Sequence, residues 1–402
     1  MLMTAAPAWS SEHDHGQPIS LDSTLELATL LDAAVAGHPY RQMVQARTNK
    51  AQAWDSQAQG WLSAAPAALL RYQSDQFQDN DGLEEWEAGL ELPLWRWGQR
   101  TRVRSHAREL GQVATAADRL LRWQLAGELR EQFWSLALAT SMQDLAQGML
   151  NSDKVLAELI EKRFSAGEST RADSLLAQSE RNTSQLALLD AQARVVDLER
   201  AFQALTGSSH HPAFTAEALS KLSSIPTDHP LLAYADALIR EAQGYQDVVA
   251  DSVKSAPTLL LGPRREKAVA DDSFDDSIGL TLRLPLAGKR HTAVSRTEAA
   301  YAAAAARSSR DMELRQLVLT FHEVRHELDL TRERITIATQ QNGFADAREG
   351  MAQIGYDQGE ASLLELLRER RQAARTRQSL TELKIKQNML IAMYNQAVGV
   401  LP

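Results

Sequence analysis

The sequence has 402 residues, carries 52 acidic against 43 basic side chains for a net charge of −9, and contains no cysteine. The acidic balance argues against a nucleic-acid binder, which needs a basic face, and the missing thiols exclude disulfides, thiolate metal sites and cysteine catalysis. Mean hydropathy is −0.34, and no apolar run approaches the roughly 18 residues of a membrane-crossing helix, which leaves a β-barrel open because its strands alternate.

The first residues, Met1 to Ala8, are apolar and end in the small-x-small pattern Ala6-Pro7-Ala8 without a basic leader. Residues 1–21 are expected to be a flexible terminus or the remnant of an export signal. From residue 22 the chain states its punctuation twice. His38-Pro39 returns as His229-Pro230, Ala65-Pro66 as Ala256-Pro257, and Leu92-Pro93 as Leu284-Pro285. Gly98-Gln99-Arg100 returns as Gly288-Lys289-Arg290, Gly167-Glu168 as Gly359-Glu360, and Gly207 as Gly399. Breaker residues that keep an offset of about 190 residues imply a duplicated unit. The two copies are 22–207 and 229–402, with 208–228 as a linker.

Each copy begins with a predicted hairpin, at about 67–94 and about 258–286. In the first, Trp86, Ala88, Leu90, Leu92 and Leu94 alternate with Glu87, Gly89, Glu91 and Pro93; in the second, Ile278, Leu280, Leu282, Leu284 and Leu286 alternate with polar residues and Pro285. Period-two alternation gives one apolar and one polar face. The acidic segments Asp79 to Gly82 and Asp271 to Asp276 suit hairpin turns in water. A soluble sandwich would bury the apolar face, but four strands complete neither a sandwich nor a barrel. An unclosed edge cannot sit in lipid, so closure needs further copies of the chain.

Two long helices follow each hairpin, at about 98–163 and 169–205, then about 290–354 and 361–398. In 98–163 there is no proline, and the length corresponds to a rod on the order of 95 Å. Leu188, Ala191, Val195, Leu198, Phe202 and Leu205 form a 3,4-spaced coiled-coil seam, matched by Leu380, Leu383, Gln387, Leu390, Tyr394 and Ala397. A second stripe, Leu186, Leu189, Ala193 and Val196, predicts a helix with neighbours on two sides. A soluble coiled-coil scaffold is the alternative to a wall of helices.

The order of hairpin, proline, glycine-x-arginine, long helix, glycine-marked tip and returning helix resembles the TolC-like outer-membrane efflux proteins. The segments that carry it are Glu91 to Arg100, Arg163 to Asp173, Leu205-Thr206-Gly207 and Tyr356 to Glu365. The resemblance implies a homotrimer with a twelve-stranded β-barrel in outer-membrane lipid and an α-helical periplasmic tunnel. It also implies a periplasmic adaptor (membrane fusion) protein and an inner-membrane RND pump as partners, with no cofactor. On the same grounds Arg163, Phe164, Gly167, Glu168, Ser169, Tyr356, Gly359, Glu360 and Ser362 are the adaptor-docking tip. Asp173 and Glu365 are the candidate acids of an aperture, and Arg368 stands where some relatives carry a second acid, which allows a Glu365–Arg368 pair. The expected cargo is heavy-metal cations, with drugs or secreted proteins as alternatives.

His322-Glu323-Val324-Arg325-His326 matches the H-E-x-x-H zinc-protease pattern. No third ligand follows it, so a zinc hydrolase is the remote alternative and polar helix surface the expectation. Glu12-His13-Asp14-His15 and His210-His211 are weak metal-contact candidates on a tail and a loop.

Overall fold

The computed structural model describes residues 19–77, 81–252, 256–286 and 289–402. The expected signal remnant as far as residue 18, Glu12 to His15, the turn residues Asp79 and Asn80, and Gly288 lie outside the described residues. In chain order the elements are β1 (Ser20–Leu21), α1 (Leu27–Gly37), α2 (Tyr40–Gln59), β2 (Ala67–Ser74), β3 (Glu84–Pro93), α3 (Gln99–Ser165), α4 (Arg171–Thr206), β4 (His210–His211), α5 (Pro230–Ser252), β5 (Thr258–Lys267), β6 (Asp275–Arg283), α6 (Lys289–Asp357) and α7 (Leu363–Ala397). The protein is mainly helical with a small β part.

Helices precede both hairpins, which the repeat pattern alone does not announce. Pro39 caps α2 and Pro230 is the first residue of α5. The two His-Pro pairs are therefore helix starts. Proline suits that position because first-turn N–H groups have no acceptor within the helix. His210 and His211 form β4, which pairs in parallel with β1.

The chain divides into two compact units. One comprises Pro39–Leu121 and Thr227–Gln316 and holds the four-stranded sheet. The other comprises the described residues up to His38, Arg122–Pro226 and Leu317–Pro402. Helices α3 and α6 contribute to both.

The sheet order is β2-β3-β5-β6, antiparallel throughout, so the β3–β5 ladder joins the two hairpins. Register places Leu70 and Tyr72 of β2, Trp86, Ala88 and Leu90 of β3, Leu259 and Leu261 of β5, and Ile278, Leu280 and Leu282 of β6 on one face. Glu87, Glu91, Arg264 and Thr281 lie on the other. The apolar face is uncovered within the chain: Leu70 is 75% and Ile278 82% exposed. Among the described residues, strands β2 and β6 each keep a free edge. The β3–β5 ladder skips Gly89 and Gly262. A Cβ on Gly262 would fall 1.8 Å from the Ala88 carbonyl oxygen, so only glycine permits this approach.

In the same unit Trp54, Ala58, Trp95, Val103 and Val248 form a cluster. The Arg100 guanidinium donates to the Ala58 and Gln59 carbonyls at 2.7 and 2.9 Å. Those are orphan acceptors at the C-terminus of α2, where a cation also meets the negative end of the helix dipole. His106 is buried against Trp54 and Tyr245. Burial, chiefly, pushes its pKa below the ordinary 6.5.

In the other unit buried Arg130 of α3 binds Glu217 through two bonds of 2.8 and 2.7 Å. It also donates to Gln396 Oε1 and the Val400 carbonyl. Asn395 reaches Glu217 and the Ala218 carbonyl. The segment between the repeats is thus strapped to the end of α7. Along α4, Leu188, Val195 and Phe202 of the seam are buried, whereas Leu186 and Leu189 of the second stripe are 64% and 53% exposed. Among the described residues, those two leucines of the stripe find no cover.

Candidate functional site

Two helix reversals lie in the same unit. In the first, Gly167 takes φ 81°, its N–H bonds the Phe164 carbonyl, and the Glu168 N–H bonds the Arg163 carbonyl at 2.8 Å. In the second, Gly359 takes φ 78°, with Gly359 N–H to Tyr356 and Glu360 N–H to Gly355 at 2.8 Å. Both are left-handed C-terminal caps, which a residue with a Cβ adopts at a cost. The aromatic pair Phe164 and Tyr356 occupies equivalent places in the two turns.

The returning helices start by different devices. Thr170 caps α4: its hydroxyl accepts from the Asp173 N–H at 3.1 Å, and the Asp173 carboxylate accepts from the Thr170 N–H at 3.2 Å. The Thr170 and Ser169 hydroxyls donate to the same carboxylate at 2.6 and 3.3 Å. Thr170, which the motif reading did not single out, is therefore the capping residue. Asp173 is its reciprocal partner, and the Thr170 hydroxyl, chiefly, holds the acid below its ordinary value. Ser362 caps α7 by accepting from the Glu365 N–H at 3.2 Å, without a reciprocal bond from the carboxylate. Glu365 and Arg368 are exposed, and no ion pair joins them among the described residues.

The two reversals meet each other. The Arg163 guanidinium lies over the Tyr356 ring, 5.1 Å from its centroid, and Arg171 lies over Phe164 at 5.4 Å. Beneath them Leu156, Ala157 and Ile160 of α3, Ala177 of α4 and Leu363, Leu366 and Leu367 of α7 form one buried cluster, with Ala352 and Tyr356 of α6 packed on it. All four long helices contribute. Gly167, Glu168, Gly359 and Glu360 remain exposed at the surface.

Behind the cluster runs a charged network that motif reading missed. The Arg370 side chain, 10% exposed, lies 3.8 Å from the 2%-exposed Asp153 and 3.8 Å from Glu349. The Ser184 hydroxyl donates to Asp153. Arg377 pairs with Glu349 and Asp346 at 2.5 and 2.8 Å. Arg371 pairs with Glu180, and Arg348 with Glu369. These contacts tie α7 to α3, α4 and α6. The sequence signal was the arginine-rich run from Arg368 to Arg377, but its partners sit far away in the chain. Removing one member of a buried pair leaves an uncompensated charge, at about 3–5 kcal/mol.

His322, Glu323 and His326 lie exposed along α6. His211 stacks on Phe214 with ring centroids 4.7 Å apart, and its Nδ1 contacts the Pro212 carbonyl. Among the described residues no group of three or more His, Cys, Asp or Glu side chains is gathered to hold a metal ion.

No protein-family model matches the chain, and no curated protein matches it in sequence. Solved structures do match its backbone. The outer membrane protein VceC of Vibrio cholerae is 20% identical, with a TM-score of 0.70 over 93% of this chain and 96% of that one. The chain has the fold of the TolC-like outer-membrane efflux channels. A membrane protein from Pseudomonas aeruginosa superposes with a TM-score of 0.73 at 17% identity, over 98% of this chain and 95% of its own. The CmeC outer membrane channel of Campylobacter jejuni gives 0.72 at 15% identity, over 99% and 93%.

Proposed function

We propose that the protein is the outer-membrane exit duct of a tripartite efflux system, a passive homotrimer extending into the periplasm. The observation that carries this reading is the sheet. Four strands share one apolar face, that face is open to solvent in the single chain, and two edges stay unpaired. Lipid covers such a face, and only neighbouring copies satisfy such edges without leaving backbone groups bare in hydrocarbon. Three copies supply twelve strands. Leu186 and Leu189 of α4 and Phe344, Met351 and Ile354 of α6, all exposed, supply apolar helix surface for the neighbouring subunit.

The tip residues Arg163, Phe164, Gly167, Glu168 and Ser169, with Tyr356, Gly359, Glu360 and Ser362, are the surface offered to a periplasmic adaptor that links the duct to an inner-membrane RND pump. Buried hydrophobic and ionic contacts hold that surface rigid, and preorganisation lowers the cost of docking. Asp173 serves first as a helix cap, which leaves Glu365 as the freer acid at the aperture. The cargo read from the sequence is heavy-metal cations, with drugs or secreted proteins as the alternatives.

The test is purification from outer membranes in detergent, sizing of the complex, and conductance in planar bilayers. A trimer that forms pores, and whose insertion is lost in Leu280→Asp, is the expected result. A monodisperse, detergent-free monomer without conductance would replace the duct with a soluble helical scaffold.

A further inference from the structure

The apolar face of the sheet changes character along the strands. Toward the helices its rows are aliphatic: Leu92 with Leu259 and Leu282, then Leu90 with Leu261 and Leu280. Two rows nearer the hairpin turns, Tyr72, Trp86, Arg265 and Asp276 stand side by side across all four strands. In the row between, the central strands carry the short Ala88 and Pro263, flanked by Leu70 of β2 and Ile278 of β6. Short side chains between long ones leave an open groove of about 660 Å³, lined mostly by residues of this face, with Arg265 and Asp276 at its turn end. The Arg265 guanidinium and the Lys267 ammonium, one row further on, both lie over Phe274, at 4.7 and 5.2 Å from the ring centroid. Each cation also has a carboxylate: Asp276 is 3.5 Å from Arg265, and Glu84 is 4.0 Å from Lys267.

We propose that this groove holds an acyl chain of a phosphate-bearing lipid, with the phosphate on Arg265 and Lys267. The inference rests on the duct reading, which turns the apolar face to the bilayer. Register puts every group it uses from β2, β3, β5 and β6 on that face. The groove lies over the two central strands, so neighbouring copies that pair with β2 and β6 leave it open to lipid. Its polarity runs in the order of an amphiphile: aliphatic rows for the chain, then aromatic and charged side chains at the depth of the head group. The local charge is balanced, so recognition here is an exchange of partners rather than a pull by net charge. Exposed ion pairs are weak, whereas one guanidinium gives a phosphate two parallel, charge-assisted bonds. The lipid phosphate therefore replaces Asp276 on Arg265, while Phe274 keeps the cation in place. The hairpin turns face away from the periplasmic helices, which puts the site in the outer leaflet and makes an acylated, phosphorylated glycolipid the occupant.

The test titrates the full-chain trimer in detergent with a diphosphorylated acyl glucosamine disaccharide and counts adducts by native mass spectrometry. Saturation at one lipid per chain is the expected result. Arg265→Gln lowers the apparent affinity about tenfold. Asp276→Asn raises it severalfold, because the competing carboxylate is gone, and Ala88→Phe lowers it by filling the groove. The dephosphorylated analogue binds wild type and Arg265→Gln alike. Adducts that accumulate without saturation, no adduct at all, or equal affinity in wild type and Arg265→Gln overturn the inference, and a trimer that still forms pores leaves the duct intact. A folded chain that stays a monomer without detergent removes the duct reading and this inference with it.

Discussion

The two reversals are copies of one design executed with different reinforcement. Both turn at a left-handed glycine and return through a hydroxyl-capped helix. In the first, Thr170 and Asp173 bond reciprocally; in the second, Ser362 alone caps Glu365. The imbalance reverses one turn further along. Gln178 of α4 makes only neutral-donor bonds to Glu161 and Ser174, whereas the matching Arg370 of α7 is a nearly buried cation between Asp153 and Glu349. The first returning helix is secured at its end, the second along its side. Local capping holds a helix start whatever surrounds it. A buried ion pair holds only while the packing around it persists.

The largest expected effect breaks that contrast directly. Arg370→Met leaves Asp153 without its cation and costs about 3–5 kcal/mol, whereas Gln178→Met costs under about 1.5 kcal/mol by denaturant unfolding. Adding Asp153→Leu to Arg370→Met recovers part of the loss, and a double variant no better than the single one would show that the pair does not couple α7 to α3. Next, Gly167→Val and Gly359→Val each force a β-branched residue into the left-handed region, at about 1–3 kcal/mol. Pore formation survives in both, while pulldown of the adaptor weakens; unchanged capture by both would remove the tips from the docking surface.

Smaller effects sharpen the comparison at the caps. Thr170→Ala is expected to cost about 1–2 kcal/mol and Ser362→Ala about 0.5–1 kcal/mol, because only the first also strands a reciprocal carboxylate. Equal losses would make the capping box irrelevant. The smallest effect is in acid. Asp173 has its pKa lowered from 3.8 on folding. Its contribution is therefore present above that value and fades as pH falls through the lower folded value. Melting temperature should fall less between neutral and strongly acidic pH in Asp173→Asn than in the wild type.

The repeat offset, the alternating strands and the long proline-free helices were legible in the sequence because each is a local or periodic signal. Glycine at 167 and 359 marked the reversals for the same reason. The role of Thr170 was within reach, since threonine three residues before aspartate is a capping signature, although Ser169 beside it offers a competing hydroxyl. The helices ahead of each hairpin were hidden by prolines that break a helix when internal and begin one when first. Arg370 was unreadable as a site. Five arginines crowd the stretch from 368 to 377, and nothing local says which of them faces Asp153, Glu349 or water.

The amino-acid order by itself determined the two hairpins, the four long helices and their glycine turns, and that this pattern occurs twice. Hydrogen bonding and side-chain periodicity act over a few residues, so they leave their record along the chain. Only the tertiary structure decided that the two hairpins join into one sheet with a single apolar face, that Arg163 meets Tyr356, and that three of the α7 arginines meet carboxylates on other helices. Those outcomes depend on groups brought together from as far apart as Asp153 and Arg370, and charge neutralisation and burial are properties of distance in space.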